Sequence, residues 1–462
     1  MRKFISLAVV LVAGGCSFTP EYQRPEAPVA TDWPAKVGVG GTAITSDWRA
    51  FFPDPQLQGL IAAALEHNRD LRVAVARVEE ARALAGIARA ERFPALELAA
   101  QRAASLTPAN LSATGSQLNT QRYDVNLAVA SFELDFWGRV KSLDDAGRAN
   151  FLASDYARQA FRLSLIADVA NAYLSLLESG ERLDLALATT KSREETRTLV
   201  ARRRDVGLAG DLDYLQADGA FQSARAETAS LTRSRAAAEN ALRLLVGTTS
   251  SVAEGGRLAQ PGLIADVAVG LPSEVLLARP DVLAAEQKLI AANANIGAAR
   301  AAFLPKIVLT AALGTASKGL SGLFDAGSGA WSFSPALRLP LFDAGRNADN
   351  VDLATARKNI AVAEYEKTIQ QAFREIADLL AARSQLAEQL QAQEANVTAQ
   401  GQRLMIVEAR YKAGVSSHLE LLDAQREHFA AQQSALAVRW QLLSTAASFY
   451  KALGGSIADQ TK

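Results

Sequence analysis

Apolar residues recur along this chain with two different periods. Val362, Tyr365, Ile369, Phe373, Ile376, Leu379 and Leu380 step by three and four, and Leu386 and Leu390 continue the series. That spacing draws one stripe along a helix and is coiled-coil-like. Tyr123, Val125, Leu127 and Val129 instead alternate with Asn126, Ala128 and Ala130. A period of two predicts a strand with one apolar face and one small or polar face.

Extended along the chain, the two periods predict one order of elements twice. A helix over about Pro55 to Arg92 and another over about Pro272 to Leu304 each stop at a proline, Pro94 or Pro305. Each is followed by two strand-like segments, about 95–105 and 121–134 in the first half, about 306–317 and 331–342 in the second. The loops between them, LTPANLSATGSQLNT and KGLSGLFDAGSGA, are rich in Gly, Ser, Thr and Asn. Strands of about 10 residues suit a tilted transmembrane strand, although a soluble hairpin reads much the same. Long helical stretches follow. Val140 to Asp205 contains a glycine-bearing break, ESGERL at 178–183, and Asn347 to Lys412 contains none. At about 1.5 Å per residue such helices reach roughly 100 Å. They turn near 207–211 and near 413–418 and return to about Val246 and Leu453.

The two halves align residue by residue. VGLAGDLDYLQA overlays AGVSSHLELLDA with Gly207 on Gly414, Leu212 on Leu419 and Leu215 on Leu422. The same offset pairs Gly138-Arg139 with Gly345-Arg346, and Gly247 with Gly454. ARAERFPALEL and ARAAFLPKIVL align at a slightly larger offset, which implies a difference in loop length. The period is far too long for a solenoid and reads as a duplicated, domain-sized unit. The organisation expected is therefore a first repeat at 55–247, a linker at 248–271, a second repeat at 272–455 and a tail at 456–462.

Charge and composition remove several function classes. With 49 Lys+Arg against 49 Asp+Glu there is no basic field for nucleic acid. His67, His418 and His428 do not form a zinc-like spacing, and a single cysteine excludes both a disulfide framework and a cysteine metal cluster. No Gly-rich phosphate loop, His-Glu metal motif or nucleophile elbow is present, so an enzyme is not expected. The abundant alanine favours long helices that pack closely.

The lone cysteine, Cys16, follows Arg2, Lys3, the apolar run Phe4 to Val12 and the small residues Ala13, Gly14 and Gly15. That run is too short to span a bilayer and reads as a signal at 1–15. The junction resembles a bacterial lipobox, in which the signal is cut before the cysteine and the thiol is acylated. The alternative is an ordinary signal with a chance cysteine. Residues 16–54 then form a lipidated, extended segment. Beyond the signal no run of 18 apolar residues occurs, so a further membrane crossing must be a β-barrel.

Four short strands cannot close a barrel, but three chains giving four strands each would close one of twelve. That architecture, with the motifs DWRAFFPDPQLQGLIAAALEHNRDLRVAVARVEEARA, ELDFWGRVKS, LPSEVLLARPDVLAAEQKL and YKAGVSSHLELLDAQR, resembles the TolC-like outer-membrane factor family, in its NodT-like lipoprotein branch. The resemblance implies a mainly α fold with a membrane β-barrel: a homotrimeric, 12-stranded barrel on a long α-helical barrel. It implies an outer-membrane conduit reaching into the periplasm, which docks to a periplasmic adaptor and an inner-membrane pump of the resistance-nodulation-division type. Neither cofactor nor chemistry is implied. By the same resemblance, Gly207, Leu208, Gly210, Gly414, Val415 and Ser416 contact the adaptor, and Asp213 and Glu420 form rings of acids at a periplasmic gate. Read singly, the glycines are also ordinary turn-formers, and the two acids ordinary first-turn residues that the helix dipole favours. Three other readings remain at this stage: a duct for protein export with an ABC transporter, metal-ion efflux, and a non-channel periplasmic coiled-coil tether held by Cys16. Two methionines in all weigh against copper or silver cargo.

Overall fold

The computed structural model describes residues 18–30, 33, 47–248, 256–265 and 273–455. The signal at 1–15, Cys16 and the tail at 456–462 lie outside the described residues. In chain order the helices are α1 (Trp48–Phe51), α2 (Pro55–His67), α3 (Arg69–Ala90), α4 (Arg139–Asp205), α5 (Asp211–Val246), α6 (Pro280–Ala301), α7 (Arg346–Lys412) and α8 (His418–Ala452). The strands are β1 (Glu97–Thr107), β2 (Leu118–Glu133), β3 (Lys306–Ser317) and β4 (Gly329–Arg338). They form one antiparallel sheet in the order β1-β2-β3-β4.

Several boundaries differ from those the periodicity predicts, each for a local reason. The helix expected over 55–92 is broken at Asn68, which is buried and non-helical. Its Oδ1 accepts from the Leu71 N–H at 2.8 Å and caps α3, while its Nδ2 donates to the Leu245 carbonyl at 2.9 Å. The break expected at 178–183 does not occur, and α4 runs unbroken for 67 residues, as α7 does. Glu178 and Arg182 pair across one turn at 3.1 Å, Ser179 bonds back to the Ser175 carbonyl, and Leu177 and Leu183 are buried. Strand β1 runs two residues past its expected end and β2 begins three residues early, because Leu106↔Asn119 and Thr107↔Leu118 continue the ladder. Strand β4 ends at Arg338 rather than near 342. Pro340 has no N–H to give the ladder, and Leu341 and Phe342 leave the sheet almost fully exposed. The expected second-repeat helix begins as a 3-10 segment, Ser273–Ala278, before α6.

The described chain groups into two compact units that cut across the sequence repeats. One takes Met1–Glu26, Arg77–Asp155 and Ala284–Glu366; the other takes Ala27–Ala76, Tyr156–Leu283 and Lys367–Lys462. The first holds the whole sheet. Its helices approach closely through small residues: Ala146 and Ala149 of α4 bury against Ala291 and Ala294 of α6. An extended strap crosses them. Thr19 bonds Ser142 at 2.9 Å, the Pro20 carbonyl accepts from Asn293, and Arg24 makes a bidentate pair with the buried Glu286, both contacts at 2.7 Å. The Tyr22 hydroxyl donates to the same carboxylate.

The second unit centres on Tyr173, Ile166, Val169 and Leu174 of α4, with Phe52, Leu57, Phe449 and Tyr450. One stretch of α4 is apolar enough by composition to cross a bilayer, but half of it is buried inside the protein. These residues identify it as core. A buried arginine fastens the start of α6 in this unit. Arg279 pairs with Asp281 and Glu375 and donates to the Ala452 carbonyl at the end of α8.

Candidate functional site

Two features of this fold bear on function, one in each unit. In the sheet, paired positions across neighbouring strands share a face. Leu98 faces Leu127, Leu127 faces Leu313 and Leu313 faces Trp331, so four large apolar side chains form one row across all four strands. All four are exposed. The rows beside it add Val125, Val129 and Phe333. On the opposite face the positions flanking that row, Ala99, Gln101, Asn126, Ala128, Thr310, Ala312, Gly314, Ser332 and Ser334, are all small or polar. Water on the first face would be costly, and lipid on it would not. Strands β1 and β4 each pair on one side only, which leaves two open edges in the described chain.

In the second unit, the two hairpin tips are built alike. Helix α4 closes with Gly207 at φ +77°. The Gly207 N–H donates to the Arg204 carbonyl at 2.9 Å and the Leu208 N–H to the Arg203 carbonyl at 2.7 Å. Helix α7 closes with Gly414, also at φ +77°. Here the Gly414 N–H donates to Tyr411 at 3.0 Å and the Val415 N–H to Arg410 at 2.9 Å. Both are Schellman turns, and the left-handed residue is the reason for glycine. Beyond each turn one large apolar residue, Leu208 or Val415, is exposed.

The returning helices begin differently. Gly210 precedes α5, and its N–H donates to Oδ2 of Asp213 at 3.2 Å. Asp213 therefore serves the reciprocal half of a capping box. Ser417 precedes α8 and caps it with its hydroxyl, which accepts from the Glu420 N–H at 3.2 Å. The Glu420 side chain is exposed, and the Ser416 hydroxyl is buried with no partner. In each hairpin stem an Arg–Asp pair bridges the two helices, Arg197–Asp218 and Arg403–Asp423, both at 2.6 Å. The tips touch each other: the Arg203 guanidinium lies 5.3 Å over the Tyr411 ring. Tyr411 in turn packs against His418, with ring centroids 5.7 Å apart.

The six tip residues and Asp213 and Glu420 thus lie at the two turns. His418, Tyr411 and Arg203 were not singled out by sequence. The signal for His418 lay in the repeat, which sets this histidine against Asp211 where a first helical turn favours an acid.

An apolar face with open sheet edges, carried with long helical hairpins that end in matched tips, defines a subunit of a membrane channel. Comparison with known proteins identifies which. Residues 60–248 and 271–455 match the outer membrane efflux protein family. The toluene efflux pump outer membrane protein TtgF of Pseudomonas putida is 45% identical over 465 aligned positions, covering 98% of this chain and 96% of that protein. Outer membrane protein OprJ of Pseudomonas aeruginosa is 45% identical, covering 97% of this chain and 95% of its own. Among solved structures, a membrane protein from Pseudomonas aeruginosa superposes with a TM-score of 0.89 at 43% identity, covering 95% of this chain and all of that one. The open state of the Neisseria gonorrhoeae MtrE outer membrane channel superposes at 0.86 and 38% identity, covering 96% of this chain and 99% of MtrE. The chain belongs to the outer membrane efflux protein family. It is an outer-membrane channel component of an efflux system.

Proposed function

We propose that three copies of this chain close a single barrel of twelve strands over a helical tube, and that the tube is the passive exit duct of a tripartite efflux system. The observation that carries this reading is the four-stranded sheet, with its exposed apolar row, its small and polar reverse face, and its two open edges. Pairing β4 of one copy with β1 of the next removes every edge and turns the apolar rows toward lipid. In this reading the matched tips form the periplasmic mouth. Gly207, Leu208, Gly210, Gly414, Val415 and Ser416 present the surface for a periplasmic adaptor, and Asp213 and Glu420 lie at the gate. An inner-membrane pump of the resistance-nodulation-division type supplies the energy. The chain itself does no chemistry and holds no cofactor.

Small organic toxicants are the proposed cargo, because relatives bear the names of toluene, solvent and antibiotic efflux proteins. Cys16 is proposed as the lipid attachment at the inner leaflet. In support, Thr19 is bonded to Ser142 in the first turn of α4, just after the sheet. Three residues of chain reach about 10 Å at most, so a lipid on Cys16 would be tethered within that reach of Thr19.

The test is the native mass of the protein extracted from membranes in detergent. The expected result is three chains of close to 49.1 kDa each, a thioether-linked lipid on each, and ion conductance in planar bilayers. A monomer that leaves the membrane when Cys16 is replaced by Ser overturns the barrel and leaves the tether. Loss of the gene is then expected to sensitise cells to organic solvents.

A further inference from the structure

The second tip holds a buried titratable group that the duct itself does not require. His418 is the first residue of α8 and only 6% exposed. Both of its ring nitrogens are shut off from solvent and neither has a hydrogen-bond partner. A neutral imidazole tolerates this at moderate cost, whereas an imidazolium with two unbonded N–H groups does not.

The surroundings come from four helix ends. Arg203 of α4, Asp213 of α5 and Tyr411 of α7 are the charged and titratable groups that face the ring. On α8 itself, Glu420 is exposed. Burial, with Arg203 in the same sense and Asp213 opposing, holds the His418 pKa below its ordinary value of 6.5. The ring also lies at the N-terminus of a 35-residue helix, where the dipole disfavours a cation. The His418 ring packs on Tyr411, and the Tyr411 ring takes Arg203 in the only cation–π contact among the described residues that joins one tip to the other.

We propose that His418 is a proton-sensitive latch: while its ring is neutral it packs the second tip against the first, and protonation releases it. The sign follows from linkage. A ring that is wet in the released state binds protons more readily than the packed ring does. The latch is therefore fully favoured above about pH 6.5 and is lost as the pH falls below it, by at most about tenfold per pH unit per chain. Release at the mouth makes the closed duct leakier in acid. That consequence for conduction rests on the channel reading above, whereas the latch does not.

Amide hydrogen exchange of the full-length protein in detergent tests it, at pH 7.5 and 5.5, with each rate divided by that of an unstructured peptide at the same pH. In the native protein, protection over 203–213 and 410–420 is expected to fall by about fivefold or more on acidification. His418→Phe and His418→Gln are both expected to abolish that fall. No fall in the native protein, or the same fall in both variants, overturns the latch. Bilayer currents recorded alongside should rise in acid for the native protein alone. Protein that carries no current at either pH overturns the channel reading, and the exchange rates still decide the latch.

Discussion

At Gly314 and Gly297 chain segments pass closer than any side chain would allow. In the sheet, a Cβ on Gly314 would lie 2.1 Å from the Val125 carbonyl oxygen and 2.5 Å from the Asn126 Cα. Neither is the movable end of a side chain, so β2 and β3 must separate to admit it. Gly314→Ala is expected to cost about 1–3 kcal/mol as overpacking and to lower the thermal unfolding midpoint. Gly329→Ala, where the added carbon meets open space, serves as the control and should leave the midpoint nearly unchanged. Gly297 does the same for the strap, since a Cβ there would lie 2.1 Å from the Thr19 hydroxyl and 2.8 Å from the Thr19 Cα. Neither requirement could be read in the sequence. The turn glycines Gly207 and Gly414 could, because they recur in register in both repeats and a helix end needs a left-handed residue. A close approach between strands depends on which strand lies alongside, and the pattern of one strand does not contain that.

At the scale of elements, periodicity was informative where a helix or strand buries one face and silent where a single side chain decides. The stripe on α7 was legible, and its Tyr365, Ile369, Ile376 and Leu380 are buried. The break at Asn68 was not legible, because its cause is a hydrogen bond to Leu245, distant in sequence. The strap at 18–26 has no period and is fixed by polar contacts, Glu286 above all. Gly180 gave the opposite error. A glycine beside a serine reads as a helix break, yet α4 passes through it, supported by the Glu178–Arg182 pair and the buried residues on either side. A Cβ at Gly180 would meet nothing. Gly180→Ala is therefore expected to stabilise the protein by about 0.5–1 kcal/mol, visible as a higher thermal midpoint with unchanged conductance.

For the whole molecule, the two faces of the sheet make a sharp contrast testable at neighbouring positions. Leu313 lies in the apolar row and Ala312 on the reverse face. If the row faces hydrocarbon, Leu313→Arg costs about 2–4 kcal/mol at mid-depth and should sharply reduce the trimer recovered from outer membranes. Ala312→Arg should leave the trimer intact and alter the ion selectivity of the current instead. Equal loss in both would mean that the faces are assigned wrongly. The duplication, the lipobox-like junction and the helical stripes reached only an anchored, helical, barrel-forming chain, and the duct came from the resemblance that the sequence motifs carry. The row itself was not legible, because it requires the register between strands that are far apart in the chain.

The open edges of the sheet have a consequence in genetics. If the ring closes only when each copy offers one edge to either neighbour, a copy with β1 blocked can still join through β4 but cannot complete a ring. In a cell making normal and blocked copies equally, about one ring in eight contains only normal ones. Such an allele would be dominant, poisoning the product of its healthy partner. A simple null allele would be recessive, and the pattern of inheritance alone would tell the two apart.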